Sequence, residues 1–344
     1  MLSIKQKLTT TLFFVVVFTI SAIADLRENS KVTNISGGQD HTLIITQDKF
    51  SWGCGRNNNR QLGIGDTTDL QTTPVKVHGY NNNGFLGDAN DVSAGNTHSL
   101  ILDANNSVWA VGYNDYGQIG DSYTYRRETP VLVHGVNNNG ILKHIVGISA
   151  SRFGDSSSGK HSLAVDSNNL CYAWGLNSKG QLGISTSYSY KTTPVKVRAG
   201  EQNPGSPNSD FQNAVAVSAG EDQSMALDIN GYVWTWGQNS DDYYGTVKGR
   251  LGAGSTQDYN DLPLKVHGPN NVGYLSNIVA ISAGWNHCVA LEDIYPADPN
   301  RQGRVYTWGY NGITGGSHSG GRLGDGTTTD RPTPVFVKAG EQDP

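Results

Sequence analysis

The chain carries short apolar runs of strand length and no sustained helical periodicity. Leu100-Ile101-Leu102 is apolar at successive positions, the pattern of a strand covered on both faces. Such runs recur, each led by a polar side chain: His41, His98, His161 and His287, with Gln223 in the fourth copy. The leads lie 57, 63, 62 and 64 residues apart, and self-similarity at a long period marks a repeat architecture. A β-prone stretch ending in a small-residue turn precedes each lead: Ile35-Ser36-Gly37-Gly38, Val92-Ser93-Ala94-Gly95, Ile148-Ser149-Ala150, Val217-Ser218-Ala219-Gly220 and Ile281-Ser282-Ala283-Gly284.

A third strand follows in each copy, reading aromatic-x-Trp-Gly or a near variant. The copies are Phe50-Ser51-Trp52-Gly53, Trp109-Ala110-Val111-Gly112, Tyr172-Ala173-Trp174-Gly175, Trp234-Thr235-Trp236-Gly237 and Tyr306-Thr307-Trp308-Gly309. Residues i and i+2 of a strand share a face, so each copy stacks two large side chains on one side of its sheet. An Asn and a Gln-Leu-Gly-like turn come next, as in Asn177 with Gln181-Leu182-Gly183. A last strand opens with Pro74, Pro130, Pro194, Pro263 or Pro334. Pro has no N–H donor and belongs at a strand start or on an edge. Each unit is therefore predicted as four short strands joined by Gly-rich turns, and the chain as all-β. One unit cannot cover both faces of its second strand; stacked units can.

Taken together, the Ser-Ala-Gly-x-x-His-Ser turn, the aromatic-x-Trp-Gly strand, the Gln-Leu-Gly turn and the final Pro-Val resemble the regulator-of-chromosome-condensation repeat. The resemblance covers roughly residues 31–340. It implies a β-propeller, usually of seven blades. Five repeats are recognisable, at approximately 31–88, 89–144, 145–213, 214–277 and 278–344. The final Ala339-Gly340-Glu341-Gln342-Asp343-Pro344 echoes the internal linker Ala199-Gly200-Glu201-Gln202-Asn203-Pro204, after which another repeat follows. The expectation is an incomplete ring, with a genuine five-unit ring or arc as the alternative. An open arc exposes an apolar blade face.

Residues 1–24 differ in character. Lys5 and Lys7 precede an apolar run from Leu12 to Ile20 broken by Thr19, and Ala22-Ile23-Ala24 offers small residues at a cleavage site. A secretory signal cleaved after Ala24 is expected, with residues 25–344 forming the propeller. That places the protein in a periplasm, at a cell surface or in the medium, with membrane contact only through the signal. Losing Lys5 and Lys7 moves the formal charge from −5 to −7. Arg126-Arg127 is the one adjacent basic pair, too little to displace counterions from phosphates, so nucleic-acid binding is not expected. Cys54, Cys171 and Cys288 fall in three different repeats without CxxC spacing. They read as small buried thiols, although one disulfide and a free thiol would suit an oxidising compartment. Asn34-Ile35-Ser36 and Asn105-Asn106-Ser107 are glycosylation sequons.

Recurrence decides how the candidate chemistry is read. A catalytic residue is needed once, whereas His41, His98, His161 and His287 recur with the blade, and Gln223 hydrogen-bonds but is a poor metal ligand. These positions, with Trp52, Trp174, Trp236 and Trp308, are expected to be structural. No nucleophile elbow, zinc-protease motif or phosphate loop occurs, and the Asp-rich turns at Asp66 and Asp325 lack a calcium-loop ligand series. No catalytic residue, cofactor or metal is therefore assigned. What differs between copies is the better guide to binding. Phe153 and Asp155 lie in an insertion before the third lead, Tyr113 and Tyr116 in the second copy, Tyr243 and Tyr244 in the fourth, and Tyr295 in the fifth. The expected function is an exported protein-interaction scaffold that is not an enzyme and whose partner is unknown. A secreted enzyme inhibitor and a guanine-nucleotide-exchange-like regulator of a small GTPase are the alternatives that the resemblance implies.

Overall fold

The computed structural model describes residues 31–66, 68–152, 154, 159–185, 189–240, 249–293, 303–312 and 320–338. The expected signal segment lies outside them. Among the described residues, twenty strands form five four-stranded antiparallel sheets, each built from consecutive strands. The first sheet comprises β1 (Val32–Gly37), β2 (His41–Thr46), β3 (Ser51–Arg56) and β4 (Leu70–Lys76). The second comprises β5 (Ala89–Ala94), β6 (His98–Asp103), β7 (Val108–Gly112) and β8 (Arg127–Leu132). The third comprises β9 (Ile145–Ala150), β10 (His161–Asp166), β11 (Cys171–Leu176) and β12 (Tyr190–Lys196). The fourth comprises β13 (Ala214–Ala219), β14 (Gln223–Asp228), β15 (Val233–Gln238) and β16 (Tyr259–Lys265). The fifth comprises β17 (Ile278–Ala283), β18 (His287–Glu292), β19 (Val305–Gly309) and β20 (Arg331–Phe336).

The sheets pack face to face in sequence order, second strand against the next sheet's first: β2 on β5, β6 on β9, β10 on β13 and β14 on β17. The core accordingly lies between sheets. Leu100, Ala110 and Ile119 of the second meet Ala164, Tyr172 and Trp174 of the third. Leu163, Val165 and Leu182 of the third meet Ala226, Trp234 and Trp236 of the fourth. Every residue of β6, β10 and β14 is buried, as their unbroken apolar character predicts. The outer sheets each keep one face open: Thr42 and Ile44 are only half-buried in β2, as are His287, Val289 and Leu291 in β18.

Two local features follow from backbone chemistry. The prolines sit inside the fourth strands and not at their starts. Pro74 lies where β4 breaks register opposite Gly53–Gly55, and the other four copies repeat the break. An outer strand has no further neighbour to require the missing N–H, and the irregularity absorbs the ring. Gly112 lies opposite His98 with φ 113°, and a Cβ there would stand 2.6 Å from Thr97 O. Only glycine combines that torsion with that approach.

Candidate functional site

The recurrent histidines form a seam between blades. Ser99 Oγ donates to Gln61 O at 2.7 Å, so its single proton is committed; His41 Nε2, 2.9 Å from the same oxygen, must carry its own hydrogen and donate. His98 to Ser162 (2.9 Å), with Ser162 to Gln118 O (2.9 Å), repeats the arrangement. So does His161 to Ser224 (3.0 Å), with Ser224 to Gln181 O (2.8 Å). This fixes the Nε2–H tautomer and leaves Nδ1 of His41, His98 and His161 without a hydrogen-bond partner among the described residues. Burial drives the pKa of His41 down to about 4 and those of His98 and His161 to about 3. At neutral pH these rings are uncharged structural donors. The fourth junction departs from the pattern on both sides at once. Gln223 Nε2 donates to Gly284 O and Trp285 O, both at 3.0 Å, and Cys288 stands where the serine would, its Sγ 3.5 Å from Arg250 O.

The aromatic pairs divide into two tiers. Trp174, Trp236 and Trp308 are fully buried and donate Nε1 across the junction to Gln118 O (2.8 Å), Gln181 O (2.9 Å) and Arg250 O (3.1 Å). The outer aromatics stay within their own blade: Trp109 Nε1 reaches Asp103 and Trp234 Nε1 reaches Asp228, each at 2.9 Å. Pairing places Trp52 in this outer tier. His41 lies opposite Gly55, as His98 lies opposite Gly112, so Trp52-Gly53-Cys54-Gly55 is the true match of Trp109-Ala110-Val111-Gly112. Trp52 is half-buried and donates to Thr46 Oγ1 at 3.0 Å, and Cys54 takes the inner position. The doubled glycine, with no indole at the inner position, hid this two-residue offset in the sequence.

Tyr113 and Tyr116 come together with a residue that sequence reasoning passed over. Lys160, only 2% exposed, holds Nζ 5.1 Å from the Tyr113 ring centroid and 5.0 Å from that of Tyr116. Tyr113 OH donates to Asp115 at 2.6 Å; burial and that carboxylate push its pKa up to about 12. Tyr116 meets Tyr190 of the third blade edge-on at 6.5 Å. Exposed Tyr123 and Tyr125 flank them on the β7–β8 connection, where their carbonyls accept from Asn114 Nδ2 at 3.0 Å each. The turn that follows Gly112 thus sets Tyr113 and Tyr116 on a rigid edge, where tyrosines offer large contact area at small entropic cost. Lys160 was findable: it is the basic residue directly before a lead that Asp40, Thr97, Asp222 and Asn286 precede in the other copies.

Phe153, Asp155, Tyr243, Tyr244 and Tyr295 lie outside the described residues. Cys54, Cys171 and Cys288 are free thiols, and burial pushes Cys288 up to about 12. Among the described residues no group of three or more His, Cys, Asp or Glu side chains is placed to hold a metal ion. Asp66 accepts from Thr68 within its own turn, and Asp325 accepts from Thr327, Asn311 and Arg331. Of the two sequon asparagines, Asn34 donates its amide to Asp91 at 2.8 Å, whereas Asn105 is exposed on a hairpin.

Known proteins share this organisation. A family model described as the Regulator of chromosome condensation (RCC1) repeat matches residues 50–102, 168–227 and 230–291, half of the chain, and a second model of that description matches 90–118 and 214–242. Ultraviolet-B receptor UVR8 of Arabidopsis thaliana is 27% identical over 237 residues, covering 68% of this chain and 46% of its own length. Secretion-regulating guanine nucleotide exchange factor of Bos taurus is 28% identical over 299 residues, covering 85% and 55%. The chain thus spans about half the length of either relative. The crystal structure of human WBSCR16 shares the fold at 20% identity and a TM-score of 0.64, over 90% of this chain and 68% of that one. With the repeat, the sheets and the family model in agreement, the chain belongs to the regulator of chromosome condensation repeat family, and its five sheets are propeller blades.

Proposed function

We propose that this protein is an exported interaction module that binds a protein partner through its blade edges and does no chemistry of its own. The observation that carries the reading is the rim of Tyr113, Tyr116 and Lys160, held rigid between the second and third blades. The recurrent histidines, which would otherwise invite a catalytic role, are occupied in the seam. Export rests on the Lys5–Ala24 segment.

The test is co-purification of the full chain from its native source. A stoichiometric partner that is lost when Tyr113 and Tyr116 are both replaced by Ala supports the reading. A monodisperse, partner-free protein would sink it. Recovery outside the cytoplasm with an N-terminus at Asp25 supports export; an intact Met1 inside the cell overturns it. A second reading, a regulator of nucleotide exchange, is favoured by the name of the bovine relative. Accelerated nucleotide release from a small GTPase co-purifying with the protein would establish it.

A further inference from the structure

Besides the histidine contacts, each junction uses a serine hydroxyl that meets the backbone of the following blade. Ala94 N donates to Ser36 Oγ at 3.0 Å, and Ala150, Ala219 and Ala283 N donate to Ser93, Ser149 and Ser218 Oγ at 2.9 Å each. A blade of this type therefore has a leading face, with a hydroxyl acceptor, an imidazole donor and a carbonyl. Its trailing face has a backbone N–H and a second hydroxyl.

The leading face of the fifth blade is open. Ser282 stands in the place of Ser218 and is exposed, whereas Ser36, Ser93 and Ser149 are buried. The half-buried His287 ring keeps the pose of an engaged histidine: a Cβ at Gly284 would stand 2.5 Å from His287 Cε1, as one at Gly38 would stand 2.7 Å from His41 Cε1. Arg322 stands where Gln61 and Gln181 present their carbonyls. The trailing face of the first blade is its match. By strand register, Gly37 holds the place of Ala94 and Thr42 that of Ser99. Ile35 is 68% exposed where the equivalent Val92 is 5% exposed in the core. Cys54 brings no indole, but neither does Val111 at the junction of the first and second blades. Charge agrees as well: Gln181 Nε2 donates to Asp222 at 2.9 Å, and the residues in those two places are Arg322 and Asp40.

We propose that the leading face of the fifth blade docks on the trailing face of the first blade of a second copy of this chain. His287 donates to Thr42 Oγ1, Thr42 donates to Arg322 O, and Gly37 N donates to Ser282 Oγ. The contact continues a stacking that the chain already builds at four junctions, and it joins unlike faces, so copies associate head to tail. Linkers hold neighbouring blades together within a chain. Between copies the contact costs translational freedom, so dilute protein is monomeric and concentration drives association. The surface is separate from the tyrosine rim between the second and third blades, and the proposal stands or falls without it.

Analytical ultracentrifugation of the full chain over a concentration series tests this. The expected result is a weight-average mass that rises with concentration. Ile35→Arg and Ser282→Arg alter opposite faces at exposed positions, so both variants should melt with the dilute wild type, and each alone should stay monomeric. Mixed in equal amounts they should form a species of two chains and no larger, because one intact leading face meets one intact trailing face. Thr42→Val, which removes the hydroxyl and keeps the bulk, should weaken wild-type association about fivefold or more. A monomer at every concentration overturns the proposal, whether its faces stay open or are covered by its own chain or by another protein. Association that survives either arginine substitution, a mixture that stays monomeric, or indifference to Thr42→Val overturns it too.

Discussion

Strands β10 and β18 occupy the same place in different blades and meet different surroundings. From His161 to Asp166 every side chain of β10 is buried, one face against the second sheet and the other against the fourth. In β18, Cys288 and Ala290 are buried against the fourth sheet, while His287, Val289 and Leu291 are half open. The sequences are alike; the difference is whether a neighbour supplies the second covering. A blade of this type is stabilised largely by the blades beside it, which is the nearest-neighbour energetics of repeat proteins.

Matched leucines break this comparison most sharply. Leu227 in β14 is 3% exposed within the core between the fourth and fifth sheets, and Leu291 holds the same position in β18 on the open face. Leu227→Ala should cost about 2–5 kcal/mol in denaturant unfolding, and Leu291→Ala less than half as much. Equal losses would mean that the open face is covered in solution. The seam gives the next effect. His161→Ala and Ser224→Ala should each cost about 1–3 kcal/mol and couple by about 1 kcal/mol in a double-mutant cycle. Among the described residues His287 meets no serine of another blade, so removing it should cost less.

Acid titration sharpens the same contrast. The folded pKa values of His41, His98 and His161 lie below the ordinary value of 6.5, so the unfolded chain binds protons more readily. Their contribution to stability is complete above about pH 6.5 and is lost as the pH falls toward 4 to 3. The melting temperature should drop across that window, and His98→Gln, a change already present at Gln223, should flatten the drop. An unchanged slope would show that carboxylates alone govern acid unfolding. The smallest effect is a gain. Gln223→His with Cys288→Ser rebuilds the missing seam and should add about 0.5–1.5 kcal/mol beyond the sum of the single changes.

The repeat, the four strands and the polar lead of each second strand were legible because each rests on a local pattern written five times. The offset of the first copy was not, since Cys54 replaces the indole that marks the inner tier and Trp52 stands two residues earlier. The acceptors of His41, His98 and His161 were also hidden, because each lies in the following repeat; only the paired change of Gln223 and Cys288 marks the two positions as partners. At the candidate rim, Tyr116 stood out as an aromatic of the second copy, whereas Tyr113 has a counterpart in Tyr310 of the fifth. Lys160 was passed over, although it stands before a lead where the other copies have Asp40, Thr97, Asp222 and Asn286.

The seam is directional: one blade gives an imidazole and a carbonyl, and its successor gives a hydroxyl and an indole. Unequal recombination between equivalent codons of two repeats would delete or duplicate a unit and still bring a donor half against an acceptor half. Gene length can therefore drift by whole repeats without orphaning a buried polar group at the new joint. The fourth junction is the exception, because its two compensating changes are inherited only if no crossover separates them. An exchange between the codons for Gln223 and Cys288 would leave histidine facing cysteine in one product and glutamine facing serine in the other.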